Sequence, residues 1–143
     1  MISLVNISSC EEHLNETFAL LNSRRFAVSR QNQTSFENHI DFVSNHPYRY
    51  WFLIEYEGKN VGTVYIHKDN SIGLNLIIDF EFLTSAVLKE VIQQFSPLPP
   101  IPSVRNENFI INVPTMDDFI ANEVRKIGGL EIQRTFVIEK KRS

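Results

Sequence analysis

The side chains that could move a proton near neutral pH are few, and they are scattered along the chain. His39 falls in a stretch of helical spacing. It can touch an amine or hydroxyl of a substrate, or it can be a half-exposed helix histidine. His67 closes a strand-like run beside Lys68, where a base and a turn-facing ring are both open readings. Tyr65 shares the period-two face of Thr63 and His67, so it is an acid, a substrate contact or sheet packing. His46 precedes Pro47 and reads as a helix stop. Asp79 and Glu81 are bases or loop carboxylates. Arg24, Arg25 and Arg30 could grip a phosphate, or form a solvated basic loop. Tyr48, Tyr50, Trp51 and Phe52 offer a stacking platform for a base or sugar ring, or the aromatic part of a core. The four histidines and one cysteine show no ligand spacing, so no metal is expected.

The element that must position these groups is 48–78. It holds three strand-like runs, 50–56, 61–67 and 72–78, joined by turns at Glu57-Gly58-Lys59-Asn60 and Lys68-Asp69-Asn70-Ser71. Aromatic and β-branched residues suit a pleated, half-buried surface, and Gly, Asn and Asp supply the turns. This predicts an antiparallel three-strand meander. Before it, 2–7 reads as a strand, and 10–22 as a helix with Leu14, Phe18 and Leu21 on one stripe. Ser9 with Glu12, and Thr34 with Glu37, fit capping boxes. A second helix carries Phe36, Ile40 and Val43 and ends near Ser44. After the meander, 83–95 is helical, and a connector with four prolines (Pro97, Pro99, Pro100, Pro102) reads as stiff and extended. A buried strand at 108–113, a helix at 116–127 stopped by Gly128-Gly129, and an alternating strand at 131–139 complete the chain. The order is β-α-α-β-β-β-α-β-α-β, an α+β pattern.

Composition narrows the classes. The chain has 143 residues, 43% hydrophobic and 22% charged, which fits one globular domain spanning 1–143. A net charge of -3 argues against a partner held by its phosphates, so no nucleic acid is expected. No run approaches the roughly 18 apolar residues of a membrane span. Residues 1–10 show no basic segment followed by a long apolar one, and the single Cys10 suits a reducing compartment. A cytoplasmic location is therefore expected.

The element order resembles the GNAT superfamily of acyl-CoA-dependent N-acyltransferases. Glu57-Gly58-Lys59-Asn60-Val61-Gly62-Thr63-Val64 looks like that family's second-to-third strand hairpin, and Arg125-Lys126-Ile127-Gly128-Gly129 like the end of its last helix. The front of the chain, with Ser35, Glu37, His39 and Tyr50-Trp51, is similar to the branch that acetylates amino groups on nucleotide-linked sugars in surface-polysaccharide pathways. The resemblance implies a mixed sheet with helices on both faces, acetyl-CoA as donor, and a small amine or nucleotide-sugar as acceptor. It implies a thioester carbonyl polarised by a backbone amide within 73–77, where Asn75 is the one polar side chain. His39, Tyr65 and Asn75 are then the catalytic candidates. Leu76, Ile77, Thr84, Ser85, Asn112 and Thr115 are the cofactor contacts, and Arg30, Tyr50 and Trp51 the substrate contacts.

Three positions depart from the family pattern. The loop that cradles the CoA pyrophosphate with glycine amides is here Ile77-Ile78-Asp79-Phe80-Glu81-Phe82-Leu83-Thr84-Ser85, with two acids and no glycine. Val124 stands where a tyrosine usually protonates the leaving thiolate, and Gly129 where a phenylalanine is usual. Two functions follow as expectations: an acyltransferase with a glycine-free cofactor loop, or a catalytically inactive relative that binds a ligand or protein. An unrelated interaction domain of coincident topology is a third. The final strand can pair within the chain or with a second copy, so a homodimer is open.

Overall fold

The computed structural model describes residues 1–22 and 35–140. Arg24, Arg25, Arg30 and Thr34 lie outside the described residues. The first strand, β1 (Ile2–Asn6), is followed by α1 (Glu11–Asn22) and α2 (Phe36–Asn45). The meander is β2 (Tyr50–Tyr56), β3 (Lys59–Ile66) and β4 (Ser71–Leu76). A 3-10 turn (Ile78–Leu83) runs into α3 (Thr84–Gln94), and β5 (Ile110–Ile111) and α4 (Asp118–Lys126) follow. The strands form one mixed sheet in the order β1-β2-β3-β4-β5, antiparallel throughout except for the parallel β4–β5 pair.

Strand alternation sorts the side chains between two faces. Register pairs Phe52 with Val64 and Ile66 with Ile72, so Phe52, Ile54, Val64, Ile66 and Ile72 share one face. That face meets Leu83, Val87, Leu88 and Val91 of the 3-10 turn and α3 in the main core. Trp51, Leu53, Thr63, Tyr65, Gly73 and Asn75 share the other face. There Phe42 of α2 packs edge-on against Trp51 at 5.7 Å. Helices therefore cover both faces, as the resemblance implied.

Local chemistry sets the element ends. Glu57 (φ 50°) and Gly58 (φ 77°) take the left-handed conformations of a tight two-residue hairpin turn between β2 and β3. Helix α2 is capped by Ser35, whose hydroxyl accepts from the Asn38 N–H at 3.1 Å. At α1, no capping box forms from Ser9: its hydroxyl lies 3.5 Å from that of Ser44, and the Ser8 N–H donates to His13 Nδ1 instead.

The proline connector is tied down. Asn70, fully buried at φ 71°, donates from Nδ2 to the carbonyls of Leu98 and Asn106 and accepts from the Leu98 N–H. Arg105 donates to the carbonyls of Pro99 and Lys68, and a turn closes at Ile101 and Arg105. The connector thus crosses from α3 to β5 along a pinned path.

The expected last strand is not formed. Residues 131–140 have no regular structure and pair with no strand among the described residues. Alternation made 131–139 competent to be a strand, but a strand also needs an edge to bond to, and within this chain the segment bonds to none.

Candidate functional site: the gap beside strand β4

Strand β4 is bonded along its length to β3 but only briefly to β5. The parallel ladder holds two pairs, Ser71 with Ile110 and Ile72 with Ile111, and β4 then continues to Leu76. Which backbone groups face the vacated side follows from the anchoring bonds. His67 N–H donates to Ser71 C=O and Ile77 N–H to Val61 C=O, so odd-numbered residues of β4 bond to β3. Ile110 N–H donates to Asn70 C=O, so even-numbered residues face β5. Past Ile72, Leu74 and Leu76 therefore aim N–H and C=O into the gap. Two N–H donors beside half-buried apolar residues can polarise a carbonyl where water is partly excluded.

Asn75 lies opposite Thr63, and Tyr65 opposite Gly73, all on the sheet face toward α1 and α2. The Tyr65 ring lies across Gly73 so closely that a β-carbon there would coincide with it. Tyr48 stacks on the outer side of Tyr65, with centroids 3.9 Å apart and planes 8° from parallel. Tyr65 is thus a sandwiched ring beside β4. Asn112 and Thr115 are both exposed and follow β5 where it leaves the ladder. Backbone amides of β4, Asn75, Asn112 and Thr115 are the expected groups that the topology gathers around this gap.

Other expected site residues lie elsewhere. His39 is buried between α1 and α2, with Nε2 2.7 Å from Thr17 Oγ1. Thr17 gives its own proton to the His13 carbonyl at 2.7 Å, so His39 Nε2 carries the hydrogen that Thr17 accepts. Burial pushes the His39 pKa down, which favours the neutral ring. That histidine joins two helices. Trp51 is packed among Phe42, His46 and Tyr48. Tyr50, the preceding residue, points to the opposite face against Phe52 and Phe95, with the Arg49 guanidinium 5.3 Å from its ring centroid. Adjacent strand residues cannot form one platform, so Tyr50 and Trp51 do not act together.

The segment leading into α3 is a 3-10 turn, where an open glycine loop would be needed to cradle a pyrophosphate. Thr84 is fully buried, and both its hydroxyl and its N–H donate to the Glu81 carbonyl. The Ser85 hydroxyl lies 3.5 Å from Glu123 Oε1 of α4. Asp79 and Glu81 place two carboxylates in this turn. Ile77, which caps it, gives its N–H to Val61. This turn, with two carboxylates and no glycine, offers little to a pyrophosphate. Val124, on α4, is half-buried against the core and offers no proton.

A cavity of about 450 Å³ lies elsewhere, lined by Met1, Ile2, Tyr56, Leu83, Ala86 and Glu90 at the β1 end of the sheet. Its lining includes the Glu90 carboxylate and the Tyr56 phenol and none of the site residues expected from the sequence. Sequence reasoning selected Leu76 but missed Leu74. The alternation that turns Leu76 toward β5 does the same two residues earlier. Among the described residues, no group of three or more His, Cys, Asp or Glu is placed to hold a metal ion. Among them, too, no helix is long and apolar enough to cross a membrane.

No protein-family model matches the chain, and no curated protein matches its sequence. Solved structures do match its fold. A Staphylococcus aureus protein of unknown function, described as a probable acetyltransferase, superposes with a TM-score of 0.57 at 10% identity, over 98% of this chain and 100% of its own. An aminoglycoside acetyltransferase from an uncultured soil metagenomic sample, solved with sisomicin, gives 0.56 at 12% identity over 99% and 97%. The ribosomal-protein-alanine N-acetyltransferase of Brucella melitensis biovar Abortus gives 0.56 at 12% over 98% and 99%. The chain has the mixed α+β fold of GNAT acetyltransferases.

Proposed function

We propose that the protein is a GNAT-type N-acyltransferase that moves an acetyl group from acetyl-CoA to an amino group of a small acceptor. The observation that carries this is the two-pair β4–β5 ladder, which leaves the N–H groups of Leu74 and Leu76 facing a gap. In the reaction, the amine nitrogen attacks the thioester carbonyl carbon, and the oxygen gathers negative charge against these N–H groups. The C–S bond breaks, the amine loses its proton to water, and the thiolate takes one. Tyr65, beside β4, is the phenol nearest this path in register, and water is the other proton source. Most of the catalysis is orientation and backbone polarisation. The acceptors to test first are nucleotide-linked amino-sugars and simple primary amines.

The test is thiol release from acetyl-CoA over a panel of these amines, for the protein and for Leu76→Pro. The Leu76 N–H faces the gap and not β3, so proline there removes a donor while sparing the β3 ladder. Loss of one such donor is expected to lower kcat by about 100-fold to 1,000-fold with an unchanged circular dichroism spectrum. Equal activity of Leu76→Pro would rule out that amide.

The acid-bearing 3-10 turn favours a second reading, a catalytically inactive domain that binds a ligand or protein through the same gap. Absence of thiol release with every amine, together with binding of a nucleotide-sugar alone, is its expected signature.

A further inference from the structure

The C-terminal segment has a strand's pattern and no partner. Leu130, Ile132, Phe136 and Ile138 share one alternating face with Arg134, and Glu131, Gln133, Thr135 and Glu139 share the other with Val137, so an extended chain would carry one largely apolar and one largely polar face. All four apolar side chains are exposed, Phe136 at 78% and Ile138 at 93%. Four large apolar groups on one face, interrupted only by Arg134, are far from the scattered exposure of an ordinary surface.

The same chain carries an open edge of complementary kind. Ile110 turns its N–H toward β4, so the neighbouring Phe109 and Ile111 turn theirs outward, where no strand follows in the sheet among the described residues. At that edge Phe109 and Ile111 are only partly buried against the core. An edge like this is a template for one more strand.

Arm and edge are present on one chain yet are not joined within it. The exit of the arm is fixed. Gly128 (φ +96°) donates to the Arg125 carbonyl and Gly129 to the Val124 carbonyl, which closes the end of α4. Gly129 also seats so tightly on Val124 that a β-carbon there would overlap it. The arm therefore leaves α4 from a fixed terminus and joins no strand of its own sheet.

We propose that 131–139 of each copy adds as a strand to the outer edge of β5 in a second copy, giving an arm-exchanged homodimer. Both surfaces belong to the same sequence, so two exchanges close with twofold symmetry and leave no arm unpaired. The added strand covers Phe109 and Ile111 and steadies the edge from which Asn112 and Thr115 emerge. The inference concerns assembly and does not depend on the acyltransferase reading.

The test uses the full chain in two measurements. Sedimentation over a range of concentrations reads the mass, and amide hydrogen exchange reads protection along 131–139 at the same concentrations. A dimer is expected, with arm protection that falls as dilution splits it. The double variant Ile132→Asp, Phe136→Asp changes only exposed positions. It should keep the same circular dichroism spectrum and weaken the dimer by at least about 100-fold, as expected for losing two apolar anchors. A monomer at about 100 μM, a dimer that survives the double variant, or arm protection that persists in the monomer would each overturn the proposal. The last would place the arm on its own sheet.

Discussion

The two sides of β4 differ in how completely they are satisfied. Toward β3 every residue from Gly62 to Ile66 has a partner, and behind this pairing Ile54, Val64 and Ile66 are wholly buried under α3. Toward β5 the pairing stops after two residues, the next elements are half-exposed, and the chain ends in an unpaired apolar arm. One side has its polar groups bonded and its apolar surface covered, which gives stability. The other keeps backbone donors and apolar side chains available, which costs stability and permits binding.

Substitutions can break this contrast. The largest effect is expected from Ile54→Ala in the meander, where the side chain is fully buried between Leu4 and Gly62 across the sheet. A cavity there should cost about 4 kcal/mol, read by chemical denaturation. Asn70→Ala comes next. It removes three side-chain hydrogen bonds and leaves the Leu98 and Asn106 carbonyls and the Leu98 N–H without that partner. A loss of about 3 kcal/mol is expected. Faster amide exchange at Ile110, which bonds to the Asn70 carbonyl, would show that the pin also holds β5 in place.

A smaller effect depends on pH. Burial holds the His39 pKa below its ordinary value of 6.5, so the folded state takes up this proton at lower pH than the unfolded state. Below about pH 6.5 the unfolded state then binds more protons, and stability falls as pH drops toward the folded pKa. His46 is shifted in the same direction by burial and adds to the slope. His39→Gln should flatten the stability profile between roughly pH 6.5 and 5; an unchanged slope would mean that His39 does not titrate there. The smallest effect sharpens the contrast from the other side. Asp79 is an exposed carboxylate in the turn before α3. Asp79→Asn should tighten acetyl-CoA binding by about threefold at low salt, and less at high salt.

Much of the stable side was legible in the sequence. Alternation and turn residues marked β2 at Tyr50–Tyr56 and placed β3 and β4 within a residue or two of their observed ends. Gly128-Gly129 marked the end of α4 because its closing bonds need a left-handed residue. These signals are local. The site was less legible because its signals are relational. The short β4–β5 ladder depends on how far a strand from forty residues downstream follows β4. His39 has the same one-letter signature as a proton carrier or a helix bridge, and only Thr17 in another helix decides. Tyr50 and Trp51 are separated by strand alternation, which the sequence did contain. The final strand was wrong for a physical reason: pattern sets competence, and pairing needs an edge in reach.

The most direct measurement is calorimetric titration of the full chain with acetyl-CoA, with free CoA and a nucleotide-sugar alongside. Micromolar binding of acetyl-CoA, about -8 kcal/mol, tighter than that of the nucleotide-sugar, is the expected result. No binding up to about 1 mM would contradict the acyltransferase reading, and heat from the nucleotide-sugar alone would leave the gap beside β4 as a binding site without acyl transfer.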